Sequence, residues 1–244
     1  MAHSLTLVNS ICNGEQHVGS DKLFQKKKIR TEKELARREA KKAPHETILI
    51  VCEDSKSSPK YFNEVIRHFR LNTANVIIVP GKGSAPISVV DHAIELAKTK
   101  PFTDRVVCVF DRDNHESYER AIKRLKNHKP EPNDKSAPIY QAIISTPCFE
   151  IWLLLHFCYT TKSYVASRNK SAAENLINDL IKELPSYSKN NTTWFKDIID
   201  KLNTAIKHAK QLQKHNSKTG STNPETNMHE LMELLKNLKN FHIE

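Results

Sequence analysis

No stretch of this chain approaches the length and apolarity of a transmembrane helix, and its first twenty residues carry no apolar block like that of a secretory signal. The expected location is the cytoplasm, away from any membrane. The five cysteines are an odd number, lie far apart and form no CxxC pair, so neither a disulfide framework nor a zinc knuckle is indicated. Cys52 and Cys108 fall inside apolar runs and read as buried thiols. The turn Pro80-Gly81-Lys82-Gly83-Ser84 lacks the GxxxxGK[ST] spacing of a phosphate-binding loop, which removes the ATPase reading.

What the chain does have is positive charge. A net charge of +10 and an isoelectric point near 9.3 favour an anionic partner, with nucleic acid as the first candidate, while the even spread of acidic residues argues against a wholly disordered basic protein. At 244 residues there is material for one sizeable core with a helical elaboration. Residues 1–20 show no period and read as an unstructured arm. Residues 21–44 carry Lys26, Lys27, Lys28, Arg37 and Arg38 among good helix formers with little apolar periodicity, so they cannot be core. They form either a phosphate-binding arm or a solvated surface helix.

From residue 45 onwards the pattern alternates. Apolar runs at 47–53, 75–79, 106–110 and 139–144 read as strands, and amphipathic stretches at 59–70, 86–98 and 115–128 read as helices. This βαβαβαβ order predicts an α/β fold with a mainly parallel four-stranded sheet covered on both faces. An apolar helix at 148–157 comes after it. A helical annex at 159–244 completes the chain, with helices at 171–184, 193–215 and 225–238 and a polar loop at 215–224 placed near the nucleic acid. The expected organisation is a basic N-terminal segment (1–44), a catalytic core (45–158) and a helical C-terminal subdomain (159–244).

The first strand ends in Glu53 and the third in Asp111-Arg112-Asp113. In open α/β sheets the crevice at the carboxyl ends of the strands is where ligands bind. If the two strands are parallel neighbours their acids converge, and mutual repulsion calls for a hard divalent cation, Mg²⁺ or Mn²⁺, held by Glu53, Asp111 and Asp113. The plainer alternative is that the Asp pair opens a turn and caps the next helix. Lys56, Lys82 and Arg112 stand near these acids and are candidate phosphate contacts. Glu150 interrupts the apolar helix, and a buried carboxylate there needs a metal, a cation such as Arg112 or a lysine, or hydrogen-bond donors.

Residues 48–62 (ILIVCEDSKSSPKYF), 109–115 (VFDRDNH), 145–157 (STPCFEIWLLLHF) and 223–231 (NPETNMHEL) resemble the four sequence blocks of the RloB-like family, and Glu followed later by Asp-x-Asp is similar to the Toprim domain of topoisomerases, primases and several nucleases. The resemblance implies a Toprim-like fold and metal-dependent phosphodiester cleavage of nucleic acid by Glu53, Asp111, Asp113 and Glu150, with His229 as a general acid or phosphate contact. It also implies a setting in bacterial restriction and abortive infection, that is, anti-phage defence, where an ATPase is the possible partner protein. The substrate would be RNA, with tRNA included, or DNA. The same resemblance is compatible with a non-catalytic nucleic-acid-binding or regulatory subunit. No tyrosine is placed for covalent topoisomerase chemistry. One position departs from the family, which usually has Gly after the first-strand Glu; Asp54 stands there, a further acid either for the metal or for water.

Overall fold

The computed structural model describes residues 46–83, 85–100, 102–112, 116–128 and 137–240. Asp113 and the basic arm at Lys26, Lys27, Lys28, Arg37 and Arg38 lie outside the described residues.

Strands β1 (Ile48–Cys52), β2 (Val76–Pro80), β3 (Arg105–Asp111) and β4 (Ile139–Thr146) are mutually parallel, with helices α1 (Ser57–Phe69), α2 (Pro86–Thr99) and α3 (Tyr118–Lys126) as the crossovers. The spatial order is β2-β1-β3-β4-β5, so β1 and β3 are neighbours, as convergence of their acids requires. A fifth strand corrects the expected count of four. β5 (Glu225–Thr226) pairs antiparallel with β4 through Ser145 opposite Thr226 and Thr146 opposite Glu225. Its ladder is extended by a side chain: Asn227 Oδ1 accepts the Ile144 N–H at 2.7 Å and its Nδ2 donates to the Ala142 carbonyl at 3.0 Å. A primary amide carries the same donor and acceptor as a peptide, which is how so short a strand covers the edge of β4.

β1 is buried along its whole length, which explains why its sequence is a continuous apolar run and not an alternating one. Leu49 and Val51 point with Val106, Cys108 and Phe110 into a core closed by α2 and α3. Ile48, Ile50 and Cys52 point the other way with Val107 and Val109, against α1 and the C-terminal helices. These are α4 (Glu150–Leu154), α5 (Ala172–Glu183), α6 (Phe195–Ile199), α7 (Leu202–Thr219) and α8 (Met228–Asn240). Residues 159–240 thus share one continuous core with the sheet.

Three local expectations are corrected. The expected helix at 193–215 is two helices, α6 and α7, because the apolar spacing Ile198, Leu202, Ala205 runs on across the break and hides it. The expected loop at 215–224 begins later, since α7 continues to Thr219 and stops at Gly220 in the left-handed region (φ 72°). Buried Asn216 pins the shortened loop, its Nδ2 donating to the Pro224 carbonyl at 2.8 Å. The regular part of α4 is shorter than 148–157 and runs out through His156 N–H to Leu153 O and Phe157 N–H to Leu154 O, the tighter i→i+3 pattern.

Candidate functional site

The site grows from the carboxyl ends of β1 and β3. Glu53 N–H donates to the Val109 carbonyl at 2.8 Å, which carries the β1–β3 ladder one residue beyond the strand, and Glu53 Oε2 accepts the Asp111 N–H at 2.8 Å. The two acids predicted to converge are therefore bonded, side chain to backbone. Beside them β2 is followed by Gly81, whose N–H donates to the Cys52 carbonyl at 2.5 Å. A Cβ at Gly81 would stand 2.8 Å from that oxygen, so only glycine allows this approach.

Asp54, which replaces the family's usual Gly, is engaged by the first turn of α1. Its Oδ2 accepts the Ser57 N–H at 3.0 Å and its Oδ1 accepts the Ser58 hydroxyl at 2.7 Å, with the Ser58 N–H at 3.2 Å from both oxygens. It satisfies the otherwise orphaned first amides of α1. Ser57 and Ser58 are the first two helical residues.

Glu150 is 1% exposed. Its Oε1 accepts from Tyr187 Oη at 2.5 Å and Ser57 Oγ at 3.2 Å and lies 3.1 Å from the Lys189 ammonium. Burial pushes this carboxyl up, but Lys189 and hydrogen bonds from Cys148, Tyr187 and Lys189 outweigh it and hold the group below the ordinary Glu value. The partner is thus a lysine and not Arg112, whose guanidinium lies 3.7 Å from Glu225 and 4.9 Å from the centre of the Tyr118 ring. Lys189 is fixed in turn: Lys60 on α1 donates to the Lys189 carbonyl at 3.3 Å and to the Asn190 carbonyl at 2.7 Å, Thr192 Oγ1 donates to Glu64 at 2.9 Å, and Trp194 Nε1 donates to the Ser188 and Asn191 carbonyls. Tyr187 and Lys189 are the site residues that sequence reasoning missed. They sit in a polar Ser/Asn-rich loop whose composition carries no signal for the β-sheet edge more than a hundred residues earlier.

Asp111 is driven the other way. Burial raises its carboxyl well above the usual carboxylate range, and the charges of Glu150, Glu53 and Asp54 push it further up against a smaller opposing pull from Lys189. A crowd of acids around a desolvated carboxyl is an environment that a divalent cation would relieve. Among the described residues no three His, Cys, Asp or Glu side chains already stand in a metal-ligating arrangement, and Asp113 is outside that set. A cavity of about 400 Å³ opens over the site, lined by Glu53, Asp54, Lys56, Gly81 and Lys189. Lys56 is thus placed as expected. Lys82 is exposed on the adjoining turn and acts electrostatically on His92.

His229 has none of the described strand-tip acids among the charges that act on it. It is 3% exposed at the start of α8. Its Nδ1 has no hydrogen-bond partner among the described residues. Burial lowers its pKa, and the charges acting on it are Glu230, Glu233 and Lys210.

Among the described residues no helix is long and apolar enough to cross a membrane. No curated protein and no solved structure matches the chain. A family model described as RloB-like protein matches residues 48–235, most of the chain and all four of the sequence blocks, and the chain belongs to the RloB-like family.

Proposed function

We propose that this protein is a metal-dependent phosphodiesterase acting on nucleic acid, with a Toprim-like core, working in the cytoplasm in bacterial anti-phage defence. The observation that carries the reading is the meeting of Glu53 and Asp111 at the tips of adjacent parallel strands, where Asp111 is desolvated and crowded by other acids. Glu53 and Asp111, with Asp113 from the sequence, are the residues that would hold Mg²⁺ or Mn²⁺, and the ion would polarise a phosphoryl oxygen and lower the pKa of a bound water. Lys56 and Lys189 line the same cavity and offer positive charge to a phosphate. Glu150 keeps Lys189 in place, and its negative charge raises the Asp111 carboxyl, which makes it a positioning residue. The excess of positive charge, with the arm at Lys26, Lys27, Lys28, Arg37 and Arg38, supplies affinity for the polyanion and not chemistry. The Toprim-like assignment is supported by the mostly parallel sheet and by acids following β1 and ending β3.

A second reading, a nucleic-acid-binding or regulatory subunit acting with an ATPase partner, is favoured by one observation: Glu150 is already neutralised by Lys189, so the fewest acids are left for a metal. Incubation of the protein with tRNA, single-stranded and duplex substrates in Mg²⁺, Mn²⁺ or EDTA separates the two. The first reading expects cleavage that needs the metal and is lost in Asp111→Asn. Tight binding without cleavage of any substrate supports the second.

A further inference from the structure

A second cavity, of about 510 Å³, opens on the same edge of the sheet, on the far side of Asp111 from the first. β3 and β4 stand in register with Asp111 opposite Ser145, and the Arg112 N–H donates to the Ser145 carbonyl at 2.8 Å. Arg112 and Thr146, each one residue beyond that pair, line the cavity with Pro147, Val165 and the first residues of α5, Ala172 and Ala173.

Several features point to a ligand of mixed polarity. Thr146 is 7% exposed, and its hydroxyl has no hydrogen-bond partner among the described residues. A buried hydroxyl without a partner is costly unless something enters to satisfy it. Val165 is 64% exposed beside it, an apolar side chain with nothing to cover it among the described residues. Arg112 is steadied by the Tyr118 ring at 4.9 Å, yet among the described residues its nearest carboxylate oxygen, on Glu225, is 3.7 Å away, beyond hydrogen-bond range, which leaves the guanidinium bonding capacity for an anion. At the start of α5 the Ser171 side chain accepts the Glu174 N–H, while Glu174 turns back to Ser171, and the amides of Ala172 and Ala173 have no acceptor among the described residues. Those amides and Arg112 suit a phosphate. The apolar wall and the orphaned hydroxyl suit a base.

We propose that this cavity takes one nucleotide of the substrate strand, adjacent to the cleaved linkage, with its base unstacked. The proposal rests on the phosphodiesterase reading and deepens it. A volume of about 510 Å³ is in the range of small-ligand pockets and cannot admit a duplex, so the strand at this point is single, looped or bulged. The preferred substrate is then unpaired nucleic acid and not a continuous double helix.

The test is binding with chemistry switched off. Fluorescence anisotropy in EDTA is measured for a labelled single strand and for its duplex with wild type, Ala172→Phe, which fills the cavity, Thr146→Val, which removes the hydroxyl but keeps the shape, and Val165→Glu, which adds a repelling charge on an exposed side chain; thermal melts verify folding. Ala172→Phe and Val165→Glu should each weaken single-strand binding about tenfold, the worth of one base contact, and Thr146→Val about threefold, with duplex binding unchanged. Val165→Glu keeps the test open if the bulkier variant misfolds. Folded cavity variants that bind the single strand as wild type does, or that lose single-strand and duplex binding equally, overturn the proposal. Metal-dependent cleavage is scored separately. Selective loss of strand binding in a protein that never cleaves would keep the nucleotide site and discard the phosphodiesterase, while cleavage with unaffected binding in the variants would do the reverse.

Discussion

Asp111 and Glu150 are two sheltered carboxyls at the same end of one sheet, within electrostatic reach of each other, and their surroundings drive them in opposite directions. Asp111 is raised by burial and by Glu150, Glu53 and Asp54. Glu150 is the more deeply buried of the two by exposed surface, yet it is held down by Lys189, Tyr187 and Cys148. Depth of burial therefore does not set the direction of the shift; the partners do. The Glu150 carboxylate is paired with Lys189 inside the protein, whereas ionisation of Asp111 is opposed by the acids around it and would be favoured by a cation from outside. A structural ion pair and a ligand-ready acid are thus built next to each other, and the first intensifies the second.

The largest expected effect comes from replacing the Asp111 carboxyl. Asp111→Asn should lower metal-dependent cleavage by about three orders of magnitude, if the acid holds the metal. It should also raise thermal stability in EDTA at neutral pH. The sign comes from linkage: an acid whose folded pKa is raised binds more protons folded than unfolded, so wild-type stability falls as pH rises from the ordinary Asp value through the raised one, and Asn removes that loss. Melts from pH 4 to 8 check both parts, and an Asn variant that is less stable at pH 8 would break the comparison.

Glu150→Gln comes next. It removes the partner of the Lys189 ammonium and should cost about 1–2 kcal/mol, below the range for a fully buried pair because Lys189 is about half exposed and can turn to water, with denaturant unfolding as the measurement. The double variant Glu150→Gln, Lys189→Met should recover part of that loss, since the pair is then removed from both sides. For wild type, Glu150 is depressed, so its contribution is fully present above the ordinary Glu value and is lost as pH falls below it through the folded value. A Gln variant that keeps wild-type stability but loses cleavage would show instead that Glu150 serves the chemistry directly.

Half of this comparison was legible in the sequence. β1 and β3 announce themselves because strands buried on both faces must be apolar throughout, and acids placed immediately after such runs have nowhere to go except the sheet edge. Glu150 was legible as an oddity because a carboxylate inside CFEIWLLLHF cannot be left unpaired. Its partner was not, since Lys189 looks like any other lysine until Lys60, Glu64 and Trp194 fold its loop onto α1. β5 was hidden for a different reason: two residues carry no period, and part of its ladder is made by the side chain of Asn227. His229 was read from motif position alone, and position along the chain does not say which charges a helix start will meet: Glu230, Glu233 and Lys210 act on it.

The smallest effect tests the acid between the two. Asp54 helps to raise the Asp111 carboxyl, yet its oxygens are engaged by the first turn of α1. Asp54→Ala removes an N-terminal cap and should cost about 1 kcal/mol, a fall of roughly 2–4 °C in Tm for a domain of this size. Asp54→Asn keeps an acceptor for the Ser57 and Ser58 amides and should cost less. Because Asp54 is the weakest of the acids acting on Asp111, either change should lower the Asp111 pKa only slightly, and the pH at which the fall in stability ends should move down by the same small amount, its onset at the ordinary Asp value unmoved. Calorimetric titration with Mn²⁺ supplies the decisive reading. If Asp54 serves the helix, both variants bind the ion as wild type does while only the Ala variant melts early; an affinity that drops in both, with Tm unmoved, would make Asp54 a ligand and transfer the capping of α1 to some other group.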